Sequence, residues 1–164
     1  AEQILFEFAK QHGVAATVLR PTLLYGNGRD LSLTPLAQRA RRWGGLPWPD
    51  NARGLRMPVH VADVAQAVLD CLDAPSSHGQ AIDLPGGETL GIDAMVERFL
   101  LGHAPGARLW RIPGPVFAAA LAAAGLAGRG AGAKGWLWRA QRDQIASAEP
   151  ARAAFGFAPR PFQP

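Results

Sequence analysis

The chain has 164 residues, of which 48% are hydrophobic and 18% charged, with a net charge of +4. This balance is typical of a globular domain with a core and excludes a disordered protein. No apolar run reaches the roughly 18 residues of a transmembrane helix, and the first residues lack the basic start of a secretion signal. The single cysteine, Cys71, excludes an internal disulfide, and no histidines have metal-ligand spacing. The sequence therefore predicts a cytoplasmic protein without a metal site.

The positive charge comes from 15 arginines and only 2 lysines. A basic balance is compatible with a nucleic-acid partner or a membrane surface. Here the arginines are scattered along the chain, apart from the group Arg39, Arg41 and Arg42, which fits a solvated helix face. We therefore expect no nucleic-acid partner, and a salt-dependent gel shift would reveal one if this expectation were wrong.

A short apolar run with β-branched residues, Val14–Leu19, predicts a buried strand. Pro21 is expected to end it, because proline has no N–H to donate to a neighbouring strand. Gly26 and Gly28 then predict a tight turn, so residues 21–28 are expected to form a loop. Ligands of open α/β sheets bind beyond the carboxyl ends of the strands, which makes this loop the first candidate site.

Helical periodicity and breaker residues predict the other elements. The clearest helix is Val61–Asp73, where Val64, Val68 and Leu72 recur at helical spacing. In chain order, the remaining predictions are a helix over 1–11, a helix over 31–43, a loop or edge strand over 46–50, a strand over 54–60, a strand over 80–84, a helix starting at 89 or 91, a strand over 108–112, helical structure from 113 and one helical turn with an extended tail over 149–164. Alternating helices and strands predict an α/β fold with a smaller helical part.

Two segments near the end of the chain invite a functional interpretation. Val116–Leu126 is apolar and rich in alanine, and a buried core helix is the preferred interpretation; contact with a second subunit or a membrane surface is the alternative. The glycine-rich stretch 125–132 follows an apolar helix and no strand, so we reject it as a phosphate-binding loop.

Four segments match one family pattern in the right order. Arg20–Gly26 (RPTLLYG) resembles the RPxxxYG segment of extended short-chain dehydrogenases/reductases, the NAD-dependent epimerase/dehydratase family. Arg56–Ala65 (RMPVHVADVA) is similar to that family's R-x-x-V-H-V-x-D-V-A segment. Ala81–Gly87 resembles its next strand end, and Phe155–Pro159 (FGFAP) resembles the ending of many members. Each motif is weak alone, but the ordered set covers nearly the whole chain.

The resemblance implies the C-terminal part of a Rossmann-like parallel sheet with a small, mainly helical substrate-binding subdomain. Residues 1–30 and about 54–75 would complete the sheet, and residues 31–53 and 76–164 would form the subdomain. No predicted strand of this sequence is followed by the family's G-x-x-G-x-x-G fingerprint, so the cofactor-binding half is expected to be absent. The catalytic Tyr-x-x-x-Lys is expected just upstream of Ala1. Tyr25 is the only tyrosine and has no lysine four residues on, so we expect no catalytic residue in this chain.

The resemblance also implies which residues contact ligands. Pro21, Thr22 and Leu23 would hold the nicotinamide of NAD or NADP, although a plain strand-ending turn is the structural alternative. Arg56 would grip the diphosphate of a nucleotide sugar, because a guanidinium matches phosphate oxygens in a bidentate way. Tyr25 and Asn27 would line the substrate pocket. The alternatives are a surface arginine at a strand edge for Arg56 and an aromatic that packs the turn for Tyr25.

The function implied is that of the substrate-binding part of an NAD(P)-dependent epimerase, dehydratase or reductase, acting on a nucleotide sugar or a similar small molecule. The fragment itself is expected to be inactive, whereas the full-length parent would be an enzyme. A homodimer is kept open. The alternative is a non-catalytic scaffold or assembly subunit of the same fold.

Overall fold

The computed structural model describes residues 2–126 and 133–164, which divide into two compact units. The first unit holds the described residues up to Asn27, together with Met57–Glu88 and Ile145–Gln163. The second unit holds Gly28–Arg56, Thr89–Gln144 and Pro164. Residues 127–132, which carry most of the glycine-rich stretch rejected above, lie outside the described residues.

Helices and short strands alternate along the chain, which confirms the predicted α/β class. In chain order, the elements are α1 (Glu2–His12), β1 (Val18–Pro21), β2 (Leu23–Tyr25), α2 (Leu33–Trp43), β3 (Gly45–Pro49), β4 (Leu55–Arg56), β5 (Pro58–His60), α3 (Val61–Leu72), β6 (Ala81–Leu84), β7 (Leu90–Gly91), α4 (Ile92–His103), β8 (Arg108–Ile112), α5 (Gly114–Leu126), α6 (Ala133–Gln141) and α7 (Glu149–Phe155).

Two parallel strand pairs form the centre of the first unit. β1 pairs with β6, and β2 pairs with β5. Helices α3 and α7 pack against them, α3 against β5 and α7 against β6. The hydrophobic core lies between these layers and consists of Val59, Ala67, Ile82, Leu84, Ala151 and Phe157.

The predicted strand Val14–Leu19 starts too early and ends too early. Val18 is the first residue of β1 because its partner β6 begins only at Ala81, leaving residues 14–17 with no strand to pair. Pro21 is the last residue of β1, so the strand ends at this proline as expected. The N–H that donates to the Leu84 carbonyl oxygen belongs to Thr22, at 3.2 Å, so the pairing requires no donor from Pro21.

The predicted loop over 21–28 is also wrong in part, because Leu23–Tyr25 forms β2. Likewise, the single strand expected over 54–60 is two strands that belong to different units. β4 pairs antiparallel with β7, whereas β5 pairs parallel with β2. Local composition indicated extended backbone in both places but carried no information about the partner strands.

The second unit combines helices with a parallel pair, β3 and β8, and the short antiparallel pair β4 and β7. β8 spans the residues predicted for it, and β3 confirms the edge-strand alternative over 46–50. Helix α2 packs against α4 and β3. It buries Leu33, Ala37 and Ala40. Arg39, Arg41 and Arg42 are exposed, as expected for a solvated helix face.

Asp30 caps helix α2 and was not recognised in the sequence as doing so. Its Oδ1 accepts hydrogen bonds from the backbone N–H of Ser32 at 3.0 Å and of Thr34 at 3.1 Å, and also from that of Leu33. Burial acts to raise the pKa of the Asp30 carboxyl, but these bonds and one from the Thr34 hydroxyl outweigh it, so the pKa is lowered overall.

We expect Asp30→Ala to lower the free energy of unfolding by about 1 kcal/mol at neutral pH, through loss of the cap. Because the folded-state pKa is lowered, the contribution is complete above the ordinary aspartate range near pH 4 and fades as the pH falls through the lowered value. Urea titrations of both proteins from pH 7 downward should therefore converge in acid. The exposed Asp73→Ala variant is the control, with a change within about 0.5 kcal/mol. A difference that persists unchanged in acid would contradict the capping role.

Two helices of the first unit carry apolar residues at helical spacing on exposed surfaces. In α1, Ile4 is 70% and Phe8 54% exposed, and in α3 the side chains of Leu69 and Leu72 are exposed as well. Cys71, on the same helix, is buried, and burial raises the pKa of its thiol. Periodicity thus identified both helices. It did not identify which of their apolar side chains are buried in the described structure.

The prediction of a buried core helix over 116–126 is wrong. Among the described side chains of α5, those from Pro115 to Ala123 are exposed or half-buried, and none is buried. The apolar composition that predicts burial therefore does not decide the position of this helix. Across residues 2–126 and 133–164, no helix is long and apolar enough to cross a bilayer.

Candidate functional site

The candidate site lies where the backbone of residues 20–27 changes partner strand. β1 runs beside β6 as far as Pro21, and after Thr22 the chain continues as β2 beside β5. Both pairs are parallel, so their carboxyl ends point the same way. This geometry places Thr22 and Leu23 at a step in the sheet, where side chains and backbone groups are available to a ligand.

The Thr22 side chain is fixed by its hydrogen bond. Its hydroxyl donates to the Met57 carbonyl oxygen, and its backbone N–H donates to the Leu84 carbonyl oxygen. A hydroxyl has one donor and two acceptor lone pairs, so Thr22 Oγ1 still has lone pairs with which to accept a hydrogen bond. The group at this position can therefore receive an amide N–H from a ligand.

Gly86 permits the close backbone approach behind this step. Its N–H donates to the Met57 carbonyl oxygen at 3.1 Å. A Cβ placed on Gly86 would lie 1.8 Å from the Pro58 carbonyl oxygen, a contact that only a backbone shift can relieve. The close backbone contact thus requires glycine at position 86 of the family-like Pro85-Gly86-Gly87 sequence.

We expect Gly86→Ala to lower the free energy of unfolding by about 2–3 kcal/mol, because the clash involves backbone atoms that cannot rotate away. Urea denaturation followed by circular dichroism measures the change. Gly102→Ala is the matched control: its Cβ would meet only an ordinary contact at 3.5 Å, and the helical alanine should stabilise by up to about 1 kcal/mol. Equal stabilities of the two variants would show that the Gly86 backbone is not held as described.

Tyr25 lies inside the first unit, with 1% of its surface exposed. Its ring packs edge-on against His60, with centroids 5.1 Å apart, and against Phe162, at 4.7 Å. Its hydroxyl donates to the Pro161 carbonyl oxygen at 3.4 Å and accepts from the Gln163 N–H at 3.2 Å. The phenol is therefore committed to the C-terminal tail. Asn27 follows with a positive φ of 53°, a conformation that asparagine tolerates.

His60 and Asp63 have structural partners. His60 Nδ1 accepts from the Ala62 N–H at 3.1 Å and so caps α3. Asp63 Oδ1 accepts from Arg160 Nε at 2.8 Å, and its Oδ2 accepts from the Arg160 N–H at 3.0 Å. The partner of Asp63 lies 97 residues away, so local sequence spacing could not identify this contact.

Arg56 is a buried residue of β4, with 3% exposure. Its Nη1 donates to the carbonyl oxygens of Leu55 and Arg142, each at 2.7 Å, and its Nη2 to that of Arg139 at 2.6 Å. Burial lowers the pKa of the guanidinium, and the charge of Asp143 opposes this shift. Within the described part of the chain, these bonds use three of the five N–H groups of the guanidinium and leave two.

The structure distributes the predicted site residues over both units. Pro21, Thr22, Leu23, Tyr25 and Asn27 lie in the first unit within one segment, whereas Arg56 lies in the second. In the parts of the chain that the structure describes, no three His, Cys, Asp or Glu side chains form a group that could hold a metal ion. A cavity of about 410 Å³ in the first unit, between β1 and α3, is lined by none of the predicted site residues.

The comparison with protein families decides what this arrangement belongs to. The model of the "NAD dependent epimerase/dehydratase family" matches residues 1–84, just over half of the chain. The chain belongs to this family. The match contains the segment 20–27, Arg56 and the strands β1, β2, β5 and β6, so the resemblance of Arg20–Gly26 and Arg56–Ala65 is confirmed.

Two relatives in the family show how much of a longer protein the chain covers. A UDP-glucose 4-epimerase of Vibrio cholerae is 24% identical over 117 residues, which are 71% of this chain and 35% of that protein. Subunit 9 of the NADH dehydrogenase [ubiquinone] 1 alpha subcomplex, a mitochondrial protein of Dictyostelium discoideum, is 24% identical over 93 residues, 57% of this chain and 26% of that protein. The chain thus spans about a quarter to a third of these relatives.

Solved structures support the fold of this family member. The UDP-glucuronic acid 4-epimerase of Bacillus cereus, solved in complex with NAD, superposes with a TM-score of 0.69 at 12% identity. The superposition covers 98% of this chain and 45% of that enzyme. At this identity the likeness establishes the Rossmann-like fold alone.

Proposed function

We propose that this chain is the substrate-binding part of an NAD(P)-dependent epimerase, dehydratase or reductase acting on a nucleotide sugar or a similar small molecule. The observation that carries the proposal is the step between β1 and β2 at Thr22, in a chain that belongs to the epimerase/dehydratase family. The predicted homodimer and cytoplasmic location, and the division at residues 30, 54 and 75, stay predictions.

We assign the nicotinamide end of NAD or NADP to Pro21, Thr22 and Leu23. The fit rests on Thr22 Oγ1, which gives its proton to Met57 and keeps lone pairs for the carboxamide N–H. When bound, the cofactor accepts or donates a hydride. The residues of this segment would contribute orientation, since the position of the ring determines which face meets the substrate.

We assign the substrate side to Tyr25, Asn27 and Arg56. The two N–H groups of Arg56 that have no carbonyl acceptor among the described residues are the ones a diphosphate would use. Tyr25 would act by holding the segment in place, because its ring and hydroxyl are packed within the first unit. Asn27, at the left-handed turn after β2, would present its amide to the substrate.

We further propose that the 164 residues do not catalyse by themselves. They hold no Tyr-x-x-x-Lys, since the single tyrosine is Tyr25 and residue 29 is arginine. Calorimetric titration with NAD should show no binding at micromolar cofactor, because residues 2–126 and 133–164 contain no glycine-rich turn that follows a strand and opens a helix to bind the diphosphate. Tight binding of NAD to this chain would overturn this part of the proposal.

The substrate side can be tested separately with UDP-glucose as the probe. Saturation-transfer NMR should detect weak binding through the uridine diphosphate protons. Asn27→Ala should reduce the signal, whereas Gln66→Ala, which removes a side-chain amide from the exposed face of α3, should leave it unchanged. A chain that gives no transfer from UDP-glucose, or equal transfer in both variants, would contradict the assignment of Asn27.

A second candidate is a non-catalytic scaffold or assembly subunit with this fold. It is favoured by the likeness to subunit 9 of the NADH dehydrogenase 1 alpha subcomplex. The codons upstream of Ala1 discriminate between the two. A Tyr-x-x-x-Lys shortly before Ala1 and a glycine-rich fingerprint further upstream would favour the enzyme, and their loss would favour the scaffold.

A further inference from the structure

Helix α5 presents an apolar surface that the described structure leaves open. Its sequence, GPVFAAALAAAGL, contains no charged or hydrogen-bonding side chain. A helix that is apolar all round normally lies in a core. Yet Val116 is 59% exposed, and the alanines at 118–120 are exposed too, although α5 packs against α6 and β3. Surfaces of this kind mark a contact with another molecule or with lipid.

The segment around α5 is strongly basic. Residues 98–142 contain seven arginines and lysines and no aspartate or glutamate, a charge of +7 in a chain whose total is +4. Arg111 is offset by Asp93 and Glu97, at 3.0 and 2.9 Å. The side chains of Arg108, Arg139 and Arg142 are exposed. The rest of the chain, by difference, carries −3, so the positive charge is concentrated in the stretch of sequence that contains the apolar helix.

Exposed tryptophans accompany these arginines. Trp138 on α6 is 57% exposed, and the Arg142 guanidinium lies over its ring at 4.2 Å. Trp110 on β8 is exposed as well, and β8 pairs with β3, against which α5 packs. Tryptophan and arginine have apolar bodies with polar or charged ends, which suits them to the boundary between hydrocarbon and headgroups.

We propose that α5, Trp110, Trp138, Arg108, Arg139 and Arg142 form a face that docks on an anionic lipid surface. We name these residues the basic apolar face. Helix α5 would lie in the plane of the membrane interface, with its apolar side chains in the acyl boundary. The arginines of the face would contact lipid phosphates. The 13 residues of α5 are too few to cross a bilayer.

The composition favours lipid over other occupants. A second copy would bring an equally basic segment against this one, and like charges oppose such pairing. Nucleic acid would engage the arginines but would leave the uncharged helix without a counterpart. Protein–protein interfaces are usually anchored by large side chains. The side chains of α5 are mostly alanine, so this helix offers few such anchors to a protein partner.

Vesicle flotation tests the proposal on the 164-residue chain. We expect binding to phosphatidylcholine vesicles with about 30% phosphatidylglycerol and little binding to phosphatidylcholine alone. Raising NaCl from about 0.05 M to about 0.5 M should weaken binding at least about tenfold. The tryptophan emission should shift to shorter wavelength on the anionic vesicles, which reports insertion independently of flotation.

Matched variants distinguish vesicle binding through this face from non-specific adsorption. Val116→Glu should weaken binding to the anionic vesicles by at least about tenfold, because it places a charge in the acyl boundary. Leu101→Glu, on an exposed leucine of α4 outside the face, should bind like the original chain. Circular dichroism confirms folding. If Val116→Glu fails to fold, Arg108→Gln, which removes one exposed charge, should still weaken binding about fivefold.

Three outcomes would overturn the proposal. One is equal binding to neutral and anionic vesicles. Another is unchanged binding of Val116→Glu and Arg108→Gln. The last is self-association that Val116→Glu abolishes in light scattering without any vesicle binding, which would assign the face to a second copy of the chain.

Discussion

Arg56→Met should lower the free energy of unfolding by roughly 3–5 kcal/mol. Methionine fills much of the space but donates no hydrogen bond. The carbonyl oxygens of Leu55, Arg139 and Arg142 would then lose the buried donors that hold β4 to the end of α6. Urea denaturation at neutral pH, followed by circular dichroism, measures the loss.

The control for this prediction is Arg53→Met, three residues earlier. Arg53 is exposed and donates only to the Asp50 carbonyl oxygen, at 3.2 Å, so its replacement should change stability by no more than about 0.5 kcal/mol. Arg56→Lys should fall between the two, because an ammonium lacks the planar fork that spans the three acceptors. Similar stabilities of Arg56→Met and Arg53→Met would show that the guanidinium contributes no net stability here.

This geometry changes how the family motif should be interpreted at Arg56. In the sequence, the motif suggests a residue whose purpose is to bind a phosphate. In the structure, three N–H groups of the same guanidinium hold backbone carbonyls. Both roles are compatible, because a guanidinium anchored on one side presents its remaining donors in a fixed direction, which lowers the ordering entropy that binding must offset. A loss of substrate binding in an Arg56 variant would therefore not by itself demonstrate phosphate contact.

Local sequence patterns predicted those helices and strands that are determined by residues close to one another in the chain. The helical spacing in α3, the arginine-covered outer face of α2 and the bounds of β8 could all be derived from neighbouring residues. Strand β2 could not, because its three residues sit between proline and glycine and are extended only through pairing with β5. Short strands are determined by their partners, and partner choice is not encoded in composition.

The candidate site was predictable only where a motif marked it. The RPTLLYG segment located the step at Thr22, but nothing in the sequence connected Asp63 to Arg160 or Tyr25 to Phe162, 97 and 137 positions apart. The exposure of α5 could not be predicted either. Its apolar composition does not show whether the rest of the protein or another molecule contacts the helix. Such features depend on long-range packing, which only the structure supplies.

Phe162→Ala should lower the free energy of unfolding by about 3–5 kcal/mol, the typical cost of removing a buried phenylalanine. Phe162 is 1% exposed, and its backbone N–H donates to Glu88 Oε2 at 3.2 Å. Its ring covers Tyr25, which in turn packs on His60, the N-cap of α3. Loss of the ring leaves a cavity beside the segment that we assign to ligand binding.

The test has a stability readout and a local one. Phe8→Ala, on a phenylalanine that is 54% exposed, is the control and should change stability by no more than about 0.5 kcal/mol. Hydrogen exchange of Phe162→Ala should accelerate at residues 23–25 and 161–163 more than in β3 and β8, because Tyr25 then loses its cover and its tail partners. If exchange accelerates uniformly in both units, Phe162 contributes to global stability alone. If only the last residues accelerate, the C-terminal tail does not hold the segment after β1, and Tyr25 is kept in place by His60 and the core of the first unit.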